Sequence, residues 1–293
     1  MASIENGPSA KWSELLPDTF LERQQKCPIV YLPMGLCEPH GHVSAFGLDT
    51  IKAEFICNAV AREVGGIVAP TQGYHIHESG YHAPWLEEVL GNANPYMASI
   101  PPFILLHLFL YQLRAFSNAG FKGVVAITGH AGGNEMDLRM VATNFMRISP
   151  MKVEVRADPE LVVGRYNGDH AGKYEISQLM YIRPDLINMS KISRQYEDKL
   201  LGRFALGHDA LEASPQLGEK IMNACIKKTC EIATNLEQSI DRGSEIDHIN
   251  IEQTELVWKD IMAAKSKWVT NKLFDGQSGA SMDSKWKIYE DLT

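Results

Sequence analysis

The sequence predicts an α/β fold in which a single domain carries a central, mostly parallel sheet flanked by helices. Short apolar runs alternate with segments of helical periodicity, which is typical of a parallel sheet covered by helices. Two of the apolar runs lead directly into polar loops, which in such sheets lie at the carboxyl ends of the strands, where ligands bind. The length of 293 residues and the hydrophobic content of 45% allow a sizeable core.

The first predicted unit is a strand, a helix and a second strand. Residues 28–35 are mostly apolar and predict a buried strand. Residues 49–66 predict the helix, because Ile51, Phe55, Ala59 and Val60 would lie on one face of it. Gly65 and Gly66 are expected to end this helix. Residues 67–73 predict the second strand. This order is a βαβ unit, whose two strands are parallel.

The same alternation continues further along the chain. Further elements are predicted at 101–118 (helix), 123–128 (strand), 151–157 (strand), 170–182 (helix) and 212–239 (helix). The last of these is amphipathic and is interpreted as a packing helix.

The chain shows no internal repeat and no linker that would divide it in two. We therefore predict a lead-in at residues 1–27, one domain at 28–245, and a C-terminal helix and tail at 246–293. The tail is polar but contains Trp268 and Trp286. It fits either a loose end or an arm that docks on a neighbouring subunit.

Charge and composition narrow the class of partner. The chain has 36 acidic and 28 basic residues, a net charge of -8 and no basic run, so we expect no nucleic-acid partner. The longest apolar run, at residues 103–113, is too short to span a bilayer, so no membrane partner is expected. Five scattered cysteines indicate a reducing compartment. We predict a cytoplasmic protein that acts on a small molecule.

A cluster of carboxylate and imidazole side chains follows the first strand. Glu38, His40 and His42 occupy alternate positions, which in extended backbone project to one side, and Asp49 follows at the start of the next helix. Such groups suit zinc, manganese or iron(II), and Asp49 could bridge two ions and so generate a hydroxide nucleophile. The alternative is a polar surface loop in which Asp49 caps the helix.

Two further loops carry candidate chemistry. In GHAGGNE, at residues 129–135, the glycines allow a close approach to a bound ion, and His130 is the candidate ligand. A phosphate-binding loop is the alternative, although the Lys-Ser/Thr ending of a P-loop is absent. In GDHAGKYEIS, Asp169, His170 and Glu175 are candidates, and each could instead be a cap or a surface charge.

A fourth loop, YHIHESGYHAPW, is rich in aromatic and imidazole groups. Its density predicts a pocket wall that recognises a planar polar substrate, with His75, His77, His82 and Trp85 as contacts. Asp169 is placed with them on the substrate side. A histidine-rich surface loop is the alternative.

Together, the motifs LPMGLCEPHGHVSAFGLD, VVAITGHAGGN and DHAGKYEISQLMYIRPDL resemble the creatininase family in order and spacing, over about residues 28–190. The resemblance implies a single-domain α/β fold, a homo-oligomer and two divalent ions (Zn, Mn or Fe) per chain. Carried over, Glu38 and His130 would hold one ion, His40 the other, and Asp49 would bridge them. Glu175 would be a ligand or proton shuttle, and His170 an acid or hydrogen-bond donor.

The sequence departs from the family where creatininases carry a glutamate two residues after the loop histidine, because Gly132 stands there. The missing carboxylate would come from Glu175, from Glu135 or from water, and creatinine itself is not the expected substrate. The resemblance implies a metal-dependent amidohydrolase that cleaves a C–N bond of a small cyclic amide or formamide by a metal-activated water. The alternatives are a lactone or ester hydrolase on the same site and a non-catalytic binding or scaffold protein.

Overall fold

A four-stranded parallel sheet organises the chain. The computed structural model describes residues 9–91, 93–132, 134–193, 204–245 and 247–286. Within these ranges the strands are β1 (Ile29–Met34), β2 (Ile67–Val68), β3 (Gly123–Thr128) and β4 (Lys152–Ala157). They lie in the order β2-β1-β3-β4, and all three neighbouring pairs are parallel. The predicted α/β class with a central parallel sheet is confirmed.

Helices cover both faces of the sheet. In the described ranges they are α1 (Pro17–Lys26), α2 (Leu48–Glu63), α3 (His82–Leu90), α4 (Pro102–Asn118), α5 (Asn134–Phe145), α6 (Lys173–Ile182), α7 (Pro215–Ser239) and α8 (Ile251–Ala263). Alternate residues of β1 enter two different cores: Val30 and Leu32 pack with side chains of α4, α5 and α8, whereas Tyr31 packs with side chains of α2 and α7. Burial on both faces explains the unbroken apolar run of β1.

Several element boundaries differ from the sequence-based prediction; α6, for example, begins at Lys173 rather than at residue 170. The second strand has two residues rather than seven, and beyond it Gln72 makes only an isolated bridge to β1. The long helix α7 begins at Pro215 rather than at residue 212, because the Ser214 side chain caps it by accepting from the N–H of Leu217.

No helix in the described ranges has the length and apolar character needed to cross a membrane.

The C-terminal segment, defined as residues 264–286, packs on its own chain. Trp268 is buried in the core formed with α4 and α5, and Trp286 is buried beside Leu86 and Leu90 of α3. The backbone N–H groups of residues 269 and 270 and the hydroxyl of Thr270 all donate to the buried carboxylate of Asp137 in α5. The described part of the predicted tail is therefore held against α3 and α5, and contact with a neighbouring subunit stays a prediction.

Replacing Asp137 with alanine should loosen the C-terminal segment, because the two buried donors of Thr270 and the partly buried N–H of Val269 lose their acceptor. Each donor left unsatisfied costs about 1–3 kcal/mol, so we expect a lower free energy of unfolding and faster hydrogen exchange in residues 264–286. Urea unfolding and hydrogen-exchange mass spectrometry measure both. Asp260→Ala, which removes an exposed partner of Arg147, is the control and should change neither. Unchanged exchange in Asp137→Ala would show that other contacts anchor the segment.

Candidate metal centre

The polar loops meet at the carboxyl edge of the sheet, above β1 and β3. Three of them directly follow strands, and Glu175 arrives on the first turn of α6, which follows β4. Asp49 is the second residue of α2. The side chains brought together there are Glu38, His40, Asp49, His77, His130, His170 and Glu175.

The described residues form three groups of candidate ligands: Glu38, His40 and His170 form the first, and the remaining two adjoin each other without sharing a residue. Glu38, His77 and His130 make one group, and His40, Asp49 and Glu175 make the other; within each, the ligand atoms lie within 4.8 Å of one another. Asp49 reaches both groups, because its Oδ1 lies 3.3 Å from His40 Nε2 and its Oδ2 lies 3.4 Å from His130 Nδ1. One carboxylate thus offers an oxygen to each of two positions, as a bridging ligand does.

Backbone carbonyls orient both imidazoles. His40 Nδ1 lies 3.0 Å from the carbonyl oxygen of Glu38, and His130 Nε2 lies 3.1 Å from that of Ile76. A ring nitrogen that donates to a carbonyl leaves the other nitrogen with a free lone pair. In both residues that other nitrogen faces the carboxylates, which is the orientation of a metal-ligating histidine.

The buried polar atoms test whether this set fits divalent ions. His40 Nε2, Glu38 Oε1 and both oxygens of Asp49 are buried without a hydrogen-bond partner in the part of the chain that the structure describes. Such atoms are costly unless they are paired or coordinate an ion. Imidazole nitrogen with carboxylate oxygen is the donor set of zinc and manganese sites, so the residues fit such ions.

Without ions, the same groups pair as acids and bases. Burial opposes a charge on His130, but Glu38 and Asp49 beside it raise its pKa to about 10. Burial likewise opposes a charge on His40, but Asp49 and Glu175 raise its pKa well above the usual value. The metal-free site therefore balances its carboxylates with protonated imidazoles, and an ion would displace these protons.

Lys52 is a site residue that sequence reasoning missed. It is fully buried on α2, and its Nζ lies 2.5 Å from Glu175 Oε1, 3.2 Å from Asp158 Oδ1 and 3.8 Å from Asp49 Oδ1. The other oxygen of Glu175 accepts from the N–H of Ala171 and lies 3.4 Å from His40 Nε2. Lys52 thus sets which oxygen of Glu175 faces the centre. The sequence feature that could have identified Lys52 is its position three residues after Asp49, on a buried helix face whose other residues are apolar.

The loop before α6 supplies a cap and a free imidazole. The Asp169 carboxylate accepts from the N–H groups of Gly172 and Tyr174, so it caps α6 while also bordering the cavity. The His170 ring stacks on that of His40, with centroids 4.9 Å apart, and its Nε2 has no hydrogen-bond partner among the described residues. Burial lowers the pKa of His170, so its ring is neutral at pH 7.

A cavity of about 520 Å³ opens in front of the centre. Four of the predicted substrate contacts line this cavity: His77, His82, Trp85 and Asp169. Three residues that were not predicted also line it: Tyr81, Phe274 and Gln277. His77 also lies 3.2 Å from Glu38 Oε2, measured from its Nε2, and so belongs to the ligand groups as well.

Two predicted placements need correction, and the alternatives for the missing carboxylate can be compared. His75 is fully buried behind His130 and beside Thr128, so it does not face the cavity. His42 packs edge-on against Phe204, because Gly41 turns the chain at a φ of 69° and the expected extended run does not form. Glu135 belongs to none of the ligand groups found among the described residues, whereas Glu175 lies beside His40 and Asp49.

Comparisons with known proteins match this fold and these motifs. The family model described as "Creatininase: Creatinine amidohydrolase" matches residues 13–233. Creatinine amidohydrolase of Pseudomonas putida is 24% identical over 182 residues, covering 56% of this chain and 68% of that protein.

Two solved structures show the likeness of the fold. "Creatininase Mn" has a TM-score of 0.65 and 21% identity, and the likeness covers 78% of this chain and 99% of that chain. A glutamate-to-glutamine mutant creatininase of Zn–Zn type has a TM-score of 0.65 and 20% identity over 79% of this chain and 99% of that one.

Lys52→Met should destabilise the metal-free protein, because the buried carboxylates of Glu175 and Asp158 lose their cation. We expect a loss of about 3–5 kcal/mol in the free energy of unfolding, recovered in part when zinc binds the folded state. Urea unfolding with chelator and with zinc measures this. Lys11→Met is the matched control: its pair with Glu54 is 37% exposed on the lysine side and should contribute less than about 1 kcal/mol. Equal losses in the two variants would contradict the role given to Lys52.

Zinc affinity should rise with pH from about pH 6 to about pH 10, since protonated imidazoles cannot coordinate. The raised pKa values of His40 and His130 extend the competition from protons above neutral pH. Calorimetry in two buffers of different ionisation enthalpy should show proton release on zinc binding, and less release in His130→Ala. A pH-independent affinity would rule out these imidazoles as ligands.

Proposed function

The chain belongs to the creatininase family of amidohydrolases, hydrolases of carbon–nitrogen bonds other than peptide bonds, and on that premise we propose that it cleaves a small cyclic amide or a formamide at a site with two divalent ions. The observation that carries the proposal is the position of Asp49. Its Oδ1 lies 3.3 Å from His40 Nε2 and its Oδ2 lies 3.4 Å from His130 Nδ1, so the carboxylate stands between one group that contains His40 and another that contains His130.

The ligand groups suggest how the ions would be held. Glu38, His77 and His130 would hold one ion, His40 and Glu175 the other, and Asp49 both. Ions in such a site supply Lewis-acid polarisation of a carbonyl and a water of lowered pKa. The Mn and Zn–Zn forms of related structures favour manganese or zinc.

His170 is the proposed proton carrier. Its neutral ring borders the cavity and presents an unpartnered Nε2, so it can take a proton from the attacking water and give it to the leaving nitrogen. Glu175 fits this role less well: burial would raise its pKa, but Lys52 and His40 lower it below the usual value, which keeps the carboxylate ionised. We therefore propose Glu175 as a metal ligand and His170 as the residue that carries the proton. Homo-oligomeric assembly and a cytoplasmic location stay predictions.

The test separates ligands from the proton carrier. Wild-type protein loaded with zinc or manganese should hydrolyse members of a panel that contains a five-membered cyclic amide, its lactone counterpart and a formamide. Glu38→Ala should lose metal and activity together, whereas His170→Ala should keep its metal and lose activity by about 10²–10⁴-fold. Metal content is measured by elemental analysis and activity by product formation.

His107→Ala is the matched control, because this histidine lies on α4, pairs with Glu255 and does not border the cavity. It should keep both metal and activity. Full activity in a metal-free Glu38→Ala protein would refute the proposal. If the protein hydrolyses only the lactone, its substrate class is an ester and not an amide.

A further inference from the structure

Part of the cavity wall comes from outside the region that matches the family. The family match ends at residue 233, yet Phe274 and Gln277 of the C-terminal segment line the cavity. The wall next to the candidate metal centre therefore includes a part that the family match does not cover.

A closed turn fixes these two residues against the histidine-rich loop. The N–H of Phe274 donates to the Gln277 side chain, and the N–H of Gln277 donates to the carbonyl of Phe274. The Gln277 amide in turn donates to the carbonyl of Tyr81 at 2.9 Å. The Phe274 ring stacks on the Tyr81 ring, with centroids 4.2 Å apart, and stays 60% exposed. An apolar ring is thus held in place beside the cavity with much of its surface unburied.

Two more aromatic groups complete this wall. Trp85 lines the cavity from α3 and lies edge-on to His170, with ring centroids 5.7 Å apart. Tyr81 is buried, and its hydroxyl has no hydrogen-bond partner among the residues that the structure describes. Burial, together with Glu135 and Asp137, raises the pKa of Tyr81, so the hydroxyl keeps its proton and can donate.

Gly132 brings the Tyr81 hydroxyl next to the metal-binding loop. A Cβ at position 132 would lie 2.8 Å from Tyr81 Oη and 3.0 Å from His82 Nε2, and the φ of 115° suits glycine alone. The space beside His130 that a side chain would take is therefore occupied by a phenol and an imidazole.

We propose that the C-terminal segment completes a pocket that selects amides carrying a flat aromatic ring, with Phe274 and Trp85 as the apolar contacts and the Tyr81 hydroxyl as a donor to the substrate. This inference rests on the proposed function, since the amide itself is placed by the metal centre.

The charges around the cavity support this choice of substrate. Glu38, Asp169 and Glu175 lie at the metal end, whereas the outer wall is made of Tyr81, Trp85, Phe274 and Gln277. None of the described lining residues is a lysine or arginine, so an anionic group on the part of the substrate away from the metal centre would find no cationic side chain. Aromatic faces favour stacked or edge-on contact with a second ring over contact with an alkyl chain.

The experiment compares two metal-chelating probes on the zinc-loaded protein by calorimetry. Acetohydroxamate and benzohydroxamate carry the same chelating group and differ in the ring. We expect benzohydroxamate to bind at least about tenfold more tightly, and Phe274→Ala to remove most of this difference while acetohydroxamate affinity stays unchanged. Phe274→Leu, which keeps apolar volume without a flat face, should fall between the two.

Met282→Ala is the matched control, because Met282 belongs to the same segment, is 94% exposed and does not line the cavity. It should leave both affinities unchanged. Equal affinities of the two probes, or a preference that survives in Phe274→Ala, would overturn the inference while leaving the metal centre intact. If neither probe binds, the proposed metal centre fails, and the inference fails with it.

Discussion

The structure depends on how it balances four buried carboxylates that lie around Lys52, His40 and His130. Glu38, Asp49, Asp158 and Glu175 are all buried, and unpaired charges in such a place are prohibitively costly. Lys52 provides one fixed positive charge, and His40 and His130 provide two more that are exchangeable with metal ions. This balance also joins the layers, because α2, α6 and the loops after β1 and β3 all contribute a charged partner.

The sequence was sufficient to predict the fold class and which loops meet. Parallel strands place their carboxyl ends at one edge, so the polar residues after β1 and β3 had to converge there. The alternation argument failed for His42, because it assumes extended backbone, and Gly41 turns this loop. His75 was predicted from the density of imidazole groups in its loop, and the structure buries it behind His130. Sequence patterns report local geometry, and the direction of a side chain in an irregular loop is set by its tertiary contacts.

The residues that were missed share a cause. Lys52 is far from Glu175 in sequence, and Phe274 is farther still from Tyr81. The residues next to Lys52 or Phe274 in the sequence therefore do not indicate which distant residue each contacts. The C-terminal segment has no helical or strand periodicity from which its position could be inferred. Its place is determined by Asp137 and by the aromatic rings it covers. Long-range contacts of this kind become visible only once the chain is folded.

The position of this wall has a consequence for biosynthesis. Every candidate metal ligand precedes the end of α6 at Ile182, whereas Phe274 and Gln277 come much later in the sequence. During vectorial synthesis the ligand-bearing residues leave the ribosome well before the residues that border them. Domains fold largely as they emerge, and contacts between distant parts of a chain form late. The nascent protein therefore has an interval in which the candidate ligands have been synthesised, and only a later part of the chain adds Phe274 and Gln277 to the cavity wall.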